Sequence, residues 1–326
     1  MKESILYVEL PESKELLKPV DLNIPENSLD IVHVKDLNAA QTAISSSPKF
    51  MALVCNTANK TLFEAFKKAF PSSPICLVTN KPMETYSREL ESKEELLLSH
   101  VIANRLPSVW TIQELKIFLL KLLKLEKVFG IAPYLRPDAP TFRLPISRGT
   151  ASAERELYNN KVLSFAEEQK LGHMFAQRVA GISEELLMNA LQDAPRAAKD
   201  FNISSDADIF LSFGCDENTF AISVEDPYGA LSKEKLFQYL KKVIIRQDDS
   251  KLIDTKKEGA GLGLYKILYS SHAFICNVVP RQKTEVVALI DLHFKIKDFS
   301  KIAKSIHFFV KRDRIEEGLK SINKMP

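Results

Sequence analysis

The stretch Gly259-Ala260-Gly261-Leu262-Gly263-Leu264 holds three of the chain's ten glycines and opens an apolar, helix-compatible run that reaches Ser271. Backbone amides at such a start can approach an anion with no side chain in the way. The segment is not a P-loop, because no Gly-Lys-Ser/Thr follows at the required spacing. Nor is it a dinucleotide fingerprint: the spacing is GxGxG, and a charged stretch, 246–258, precedes it where that motif needs a strand. Alone, a glycine-rich turn is more often a tight helix entry than a phosphate site.

Outward from the glycines the pattern is regular. Downstream, Phe274–Val279 and Thr284–Leu292 read as a hairpin around Pro280-Arg281-Gln282-Lys283. Upstream, Lys235–Ile245 reads as an amphipathic helix with Leu236, Phe237, Leu240, Val243 and Ile244 inside. Before it, Ile209–Phe213 and Thr219–Glu225 form another expected hairpin, joined by 214–218. Asp226 closes its second strand and Gly229 follows, a carboxylate placed to accept from the amino edge of a purine; as an isolated Asp-Pro-Tyr-Gly it is also an ordinary turn. Earlier still, Ala151–Ala180 is helical in content with a break at Gly172, and Ile182–Leu191 continues as a helix. On it Glu185, Asn189 and Asp193 recur at i, i+4 and i+8. A carboxylate and a carboxamide one turn apart offer a base and an oxygen ligand facing the same way, which suits magnesium. A plain solvated helix face has the same spacing.

Taken in order, these elements resemble the nucleotide-binding domain of the GHKL superfamily, which includes sensor histidine kinases and anti-sigma-factor serine kinases. Glu185 and Asn189 match its N box, Asp226 and Gly229 its G1 box, and Gly259–Leu264 its G2 box; Thr284 follows on a late strand. The resemblance spans 150–295 and implies an α/β sandwich that binds ATP with Mg2+. It further implies that Asn189 coordinates magnesium, Glu185 acts as base or orients water, and Asp226 accepts from adenine with help from Thr284. The backbone at Gly259, Gly261, Leu262, Gly263 and Leu264 would face the phosphates, with 230–258 as a lid carrying Lys251, Lys256 and Lys257. One departure concerns the G1 box, usually Asp-x-Gly: here Tyr228 takes the second position after Asp226 and glycine comes one later. His173, followed by Met174 and Phe175, lacks the acidic neighbour of a phosphoacceptor histidine and reads as a packed or surface residue. The implied activity is that of an anti-sigma-type serine/threonine protein kinase acting on a separate partner protein. A non-catalytic nucleotide-binding scaffold and a histidine-kinase relic stand as alternatives.

The first 129 residues alternate differently. Ile5–Glu9, Ile31–Val34, Phe50–Cys55, Ile75–Thr79 and His100–Ala103 are short apolar runs with little polar alternation, as in strands covered on both faces. Between them Leu37–Ser45, Thr61–Phe70 and Lys81–Leu98 have helix-compatible content, and Thr111–Lys127 closes the series. The expectation is a doubly wound, flavodoxin-like parallel sheet. Its layout resembles the receiver domain of response regulators. Glu9 is half of the expected acidic pair, Thr79 matches the hydroxyl position, Arg105-Leu106-Pro107 replaces lysine-proline, and Asn56 follows Cys55 where the phosphoacceptor aspartate would stand. An amide is no acyl-phosphate nucleophile, so the resemblance implies a receiver-like, partner-binding module that is not phosphorylated. Residues 130–149, with four prolines, read as a linker, and 296–326 as a helical tail with Phe299, Ile302, Ile306 and Phe309 at helical spacing.

Composition is permissive: 326 residues, 45% hydrophobic and 27% charged, suit two folded domains. A net charge of +3 is too even to suggest nucleic-acid binding from charge alone. Lysines break even the apolar Ile117–Val128 stretch, and the acidic N-terminus is unlike a signal peptide, so a cytoplasmic protein without membrane or nucleic-acid partners is expected. Four scattered cysteines read as buried thiols, and the pattern leaves room for a homodimer.

Overall fold

The computed structural model describes residues 3–11, 29–46, 49–81, 97–104, 109–124, 129–147, 151–199, 201–202, 207–237, 262–295, 298–299 and 302–311. Gly259, Gly261, the lid lysines, Arg105-Leu106-Pro107, most of the 81–98 helix and residues 312–326 of the tail lie outside them.

The architecture is mixed α/β. Strands β1 (Glu3–Val8), β2 (Leu29–Val34), β3 (Ala52–Cys55), β4 (Ile75–Thr79) and β5 (His100–Ala103) pair in parallel in the order β2-β1-β3-β4-β5. Every residue of β3, β4 and β5 is buried, which explains their lack of polar alternation. Successive residues of β1 serve opposite layers. Leu6 and Val8 join the core with Phe63 and Phe66 of α2 (Lys60–Ala69) and Ala40 of α1 (Leu37–Ser46). Ile5 and Tyr7 join the other core with Leu115 and Phe118 of α3 (Val109–Lys124). Asn59 caps α2 by accepting from the Leu62 amide at 2.9 Å.

The second half is antiparallel. Strands β6 (Thr141–Ile146), β7 (Ile209–Cys215), β8 (Thr219–Asp226), β9 (Ala273–Val279) and β10 (Lys283–Asp291) lie in the order β9-β10-β8-β7-β6, with β7–β8 and β9–β10 as the two expected hairpins. Helices α4 (Ala151–Glu168), α5 (His173–Met188) and α7 (Leu262–Ser270) contribute Val162, Phe165, Val179, Ile182, Leu186, Ile267 and Leu268 to one face, against Phe220, Ile222, Phe274 and Cys276. Between α5 and α7 in sequence, a π-helical turn, Asn189–Asp193, runs into the short α6 (Ala194–Lys199). Helix α3 and the 3-10 turn Ala132–Tyr134 cover the opposite face, where Ala221, Ile275 and Val287 meet Leu115, Phe118 and Tyr134.

Two expectations are corrected. The tail is not a helix over its described part: Ser305–Val310 is strand β11, parallel to β9 along six residue pairs and antiparallel to β5 at Ile306↔Val101 and His307↔His100. Ile306 and Phe309 are three apart yet serve opposite cores, as a strand buried on both faces demands. A short doubly buried strand and one helix turn give the same apolar spacing. Through β11 the two half-sheets become one sheet of eleven strands. The 130–149 segment is also more than a linker, since it supplies β6 at the sheet's outer edge. Pro145 is tolerated there because an edge residue can forgo one amide hydrogen bond. All four cysteines are buried and free of disulfides. No described helix is long and apolar enough to cross a membrane.

Candidate functional site

Helix α5 buries Phe175, Val179, Ile182, Ser183, Leu186 and Leu187, leaving Glu185 and Asn189 on the flank that meets α7. Asn189 opens the π turn, and its backbone amide donates to the carbonyls of both Glu185 and Leu186. Such turns re-aim side chains within an otherwise regular helix. The start of α7 comes in very close. A β-carbon at Gly263 would lie 2.6 Å from Oε2 of Glu185 and 3.5 Å from Oδ1 of Asn189. A larger residue there would push the Glu185 carboxylate aside. Leu262 is the first residue of the helix, while Leu264 is buried in the core and anchors its first turn. One turn beyond Gly263, the Lys266 ammonium pairs with Oε1 of Glu185 at 2.6 Å. Nδ2 of Asn189 is buried without a hydrogen-bond partner among the described residues.

The second group forms at the end of β8, a strand in contact with both α5 and the π turn. Asp226 is buried and directly opposite Thr284 on β10, so their side chains share a face. Burial pushes the Asp226 carboxyl from 3.8 up to about 7, opposed by backbone amides of Tyr228, Gly229 and Thr284 and aided by the Glu225 charge. Its Oδ1 accepts from the Tyr228 amide at 3.0 Å. Thr284 is only 2% exposed, and its hydroxyl has no hydrogen-bond partner among the described residues. A buried polar atom of that kind calls for a ligand or water.

Gly229 has a different reason to be glycine. Its φ is +60°, and a β-carbon there would run into the Val279 carbonyl and lie 2.8 Å from the amides of Arg281 and Gln282. It therefore seats this segment on the β9–β10 turn, where its carbonyl accepts from Arg281 at 3.2 Å. Tyr228, the departure from Asp-x-Gly, is buried against Ala198 of α6, with Ala194, Ala197 and Ala230 around it.

The N-terminal positions fall where the sequence puts them, with other duties. Asn56 follows β3 and is buried; its Oδ1 accepts from the Leu10 amide and its Nδ2 donates to the Leu10 carbonyl, both at 2.9 Å. Glu9 pairs with His33 at 2.8 Å, and the Thr79 hydroxyl accepts from the Lys81 amide at 3.1 Å. His173 is an exposed residue paired with Glu167.

Two lysines escaped the sequence reading. Lys266 is one; its only signal is a cation one turn after the last glycine of the motif. The other is Lys121, 1% exposed on α3. Its ammonium donates to Asn277 Oδ1 at 2.8 Å, and Asn277 Nδ2 donates to Glu285 Oε2 at 2.9 Å. Glu285 also accepts from Ser223 and from the Gly130 amide. Burial lowers Lys121 from 10.5 to about 7 against the upward pull of Glu285. This chain of contacts ties the last N-terminal helix to the back of β8, β9 and β10.

No family model matches the chain, and no curated protein matches it. Among solved structures, one described as the crystal structure of the SiaB-SiaC complex from Pseudomonas aeruginosa aligns with 53% of this chain and 99% of that chain, at 17% identity and a TM-score of 0.32. A likeness at that level assigns neither fold nor activity to this chain.

Proposed function

We propose that the C-terminal half is a GHKL-type sandwich binding Mg-ATP among α5, the start of α7 and the end of β8. On this reading the protein is a cytoplasmic signalling regulator that transfers the γ-phosphate to a serine or threonine of a partner protein. The observation that carries it is the approach of Gly263 to both Glu185 and Asn189, three residues from two separate motifs that sequence reasoning assigned to one site. The Thr284 hydroxyl, without a partner among the described residues and beside buried Asp226, supports the same site at its adenine end.

Asn189 Oδ1 is an oxygen donor of the kind magnesium takes, and the ion would neutralise charge on the phosphates. Asp226 in its ionised form would accept from the adenine amino group, with Thr284 as its neighbour. Amides at the start of α7 would bind the phosphates. Glu185 would receive the proton of the attacking hydroxyl. The N-terminal half, with its parallel β2-β1-β3-β4-β5 order, is a flavodoxin-like, receiver-like module. Asn56, an amide held by the backbone of Leu10, stands where a receiver carries its phosphoacceptor, so on this reading the module would recognise the partner and is not itself phosphorylated.

A second reading, a nucleotide-binding scaffold without transfer, is favoured by one feature. Tyr228 is packed on α6 at the position where the GHKL pattern continues towards glycine. The two readings separate when purified protein is incubated with γ-labelled Mg-ATP and co-purifying proteins. Wild type should yield an acid-stable phosphoprotein, Asp226→Asn should bind no nucleotide, and Glu185→Ala should bind without transferring. Normal transfer by Glu185→Ala would remove the role given to Glu185; binding without any labelled protein would favour the scaffold. Absence of nucleotide binding by wild type would refute both.

A further inference from the structure

Lys266 belongs to none of the motifs, yet it makes a short polar contact at the site, 2.6 Å from Nζ to Oε1 of Glu185. It stands on α7 three residues after Gly263, next to the first turn whose free amides open the helix. The pair is not needed to hold the two helices together. Ile267 and Leu268 of α7 and Ile182 and Leu186 of α5 already share one buried core. The lysine side chain is 63% exposed against 21% for Glu185, and an ion pair with so wet a cation contributes little to stability. A four-carbon stem rooted beside those amides can carry its ammonium from one anion to another. The contact also engages one carboxylate oxygen of Glu185, the group read above as the proton acceptor.

We propose that Lys266 is a phosphate-binding residue that exchanges between Glu185 and the terminal phosphate of ATP. This rests on the ATP reading given above. As the triphosphate enters, the ammonium moves to its γ-oxygens and Oε1 of Glu185 is released. The partner's hydroxyl oxygen then bonds to the γ-phosphorus and the bond to the β-phosphate oxygen breaks. The hydroxyl proton passes to Glu185, and ADP leaves. Lys266 thus couples the arrival of a third phosphate to the freeing of the base, and makes the site discriminate ATP from AMP.

The test is calorimetric titration of the full chain with Mg-ATP and with AMP, for wild type, Lys266→Met, Lys266→Arg and Asp226→Asn. Lys266→Met should weaken Mg-ATP about tenfold, the size of one charge-assisted hydrogen bond, while AMP affinity stays within about twofold. Lys266→Arg should recover most of the ATP affinity, and the salt dependence of ATP binding should be shallower in the Met variant. Unchanged ATP affinity in Lys266→Met, or equal losses for ATP and AMP, would overturn the proposal while leaving the ATP site standing. Asp226→Asn marks the other case, because it should lose both nucleotides. If wild type itself binds neither, the ATP reading and this proposal fall together.

Discussion

Replacing Asp226 by asparagine should make the protein more stable at alkaline pH and useless as a nucleotide binder. The carboxyl is 7% exposed, and burial lifts its pKa from 3.8 to about 7. The folded protein therefore keeps a proton that the unfolded chain gives up between those values. For an acid with a raised pKa, stability is greatest below the lower value, falls as pH rises through the window, and is flat above the upper one. At about 1.4 kcal/mol per tenfold change in proton affinity, the ionised carboxylate costs the fold about 4 kcal/mol at pH 8. An amide never ionises, but its Nδ2 must find an acceptor, which takes back about 1–3 kcal/mol. The net expectation is that Asp226→Asn is about 1–3 kcal/mol more stable than wild type at pH 8 and no more stable at pH 4. Urea unfolding at several pH values, followed through the single tryptophan, Trp110, measures this. Other titrating groups cancel in the difference between the two proteins. A difference that does not change with pH, or a variant less stable than wild type at pH 8, would refute the burial argument. Loss of ATP binding by the stabilised variant would separate a missing adenine acceptor from a damaged fold, because damage lowers stability and this substitution should raise it.

Three further substitutions bear on other parts of the molecule. Lys121→Met leaves Asn277 and Glu285 without their cation and should cost about 3 kcal/mol in urea unfolding, of which Glu285→Gln in the same chain restores more than half; additive losses would show that the two residues are not coupled. Gly229→Ala combines a positive φ with a collision against the Val279 carbonyl, so a loss of about 3 kcal/mol or more is expected, and an unchanged melting temperature would contradict the described turn. Gly263→Ala meets a movable side chain instead of backbone, so it should cost only about 1 kcal/mol while displacing Glu185 and depressing phosphoryl transfer. Full transfer activity in that variant would show that Glu185 tolerates displacement.

Local pattern made most individual elements legible, and non-local pairing hid the rest. The β7–β8 and β9–β10 hairpins, the Gly172 break between α4 and α5, and the helix start within the glycine motif all follow from short-range signals. The resemblance gives Asp226 and Thr284 one task, and they are cross-strand neighbours. The errors share one cause. Whether 305–310 is helix or strand is decided by β5 and β9, which lie far away in sequence, and a few apolar residues fit either. Pro145 argued against a central strand, and β6 escapes that objection only by being an edge. Lys121 interrupts an apolar run and so resembles a solvated residue. Its burial depends on an asparagine and a glutamate contributed by strands more than 150 positions later. Lys266 is invisible for the related reason that a lone lysine on a helix carries no signature until its partner is located.

The position of β11 has a consequence for how the chain reaches its native state. Its strand lies between β5 and β9, so on either side a row of backbone groups goes unpaired until residues 305–310 dock. During synthesis the first half emerges some two hundred residues ahead of the strand that completes its sheet, which makes closure of this seam a late, high-contact-order event. Open edges of buried, apolar strands are templates for wrong pairing. Removal of residues 305–310 should therefore show itself first as aggregation at ordinary expression temperature, and slower synthesis or a cooler host should help the intact chain more than the shortened one.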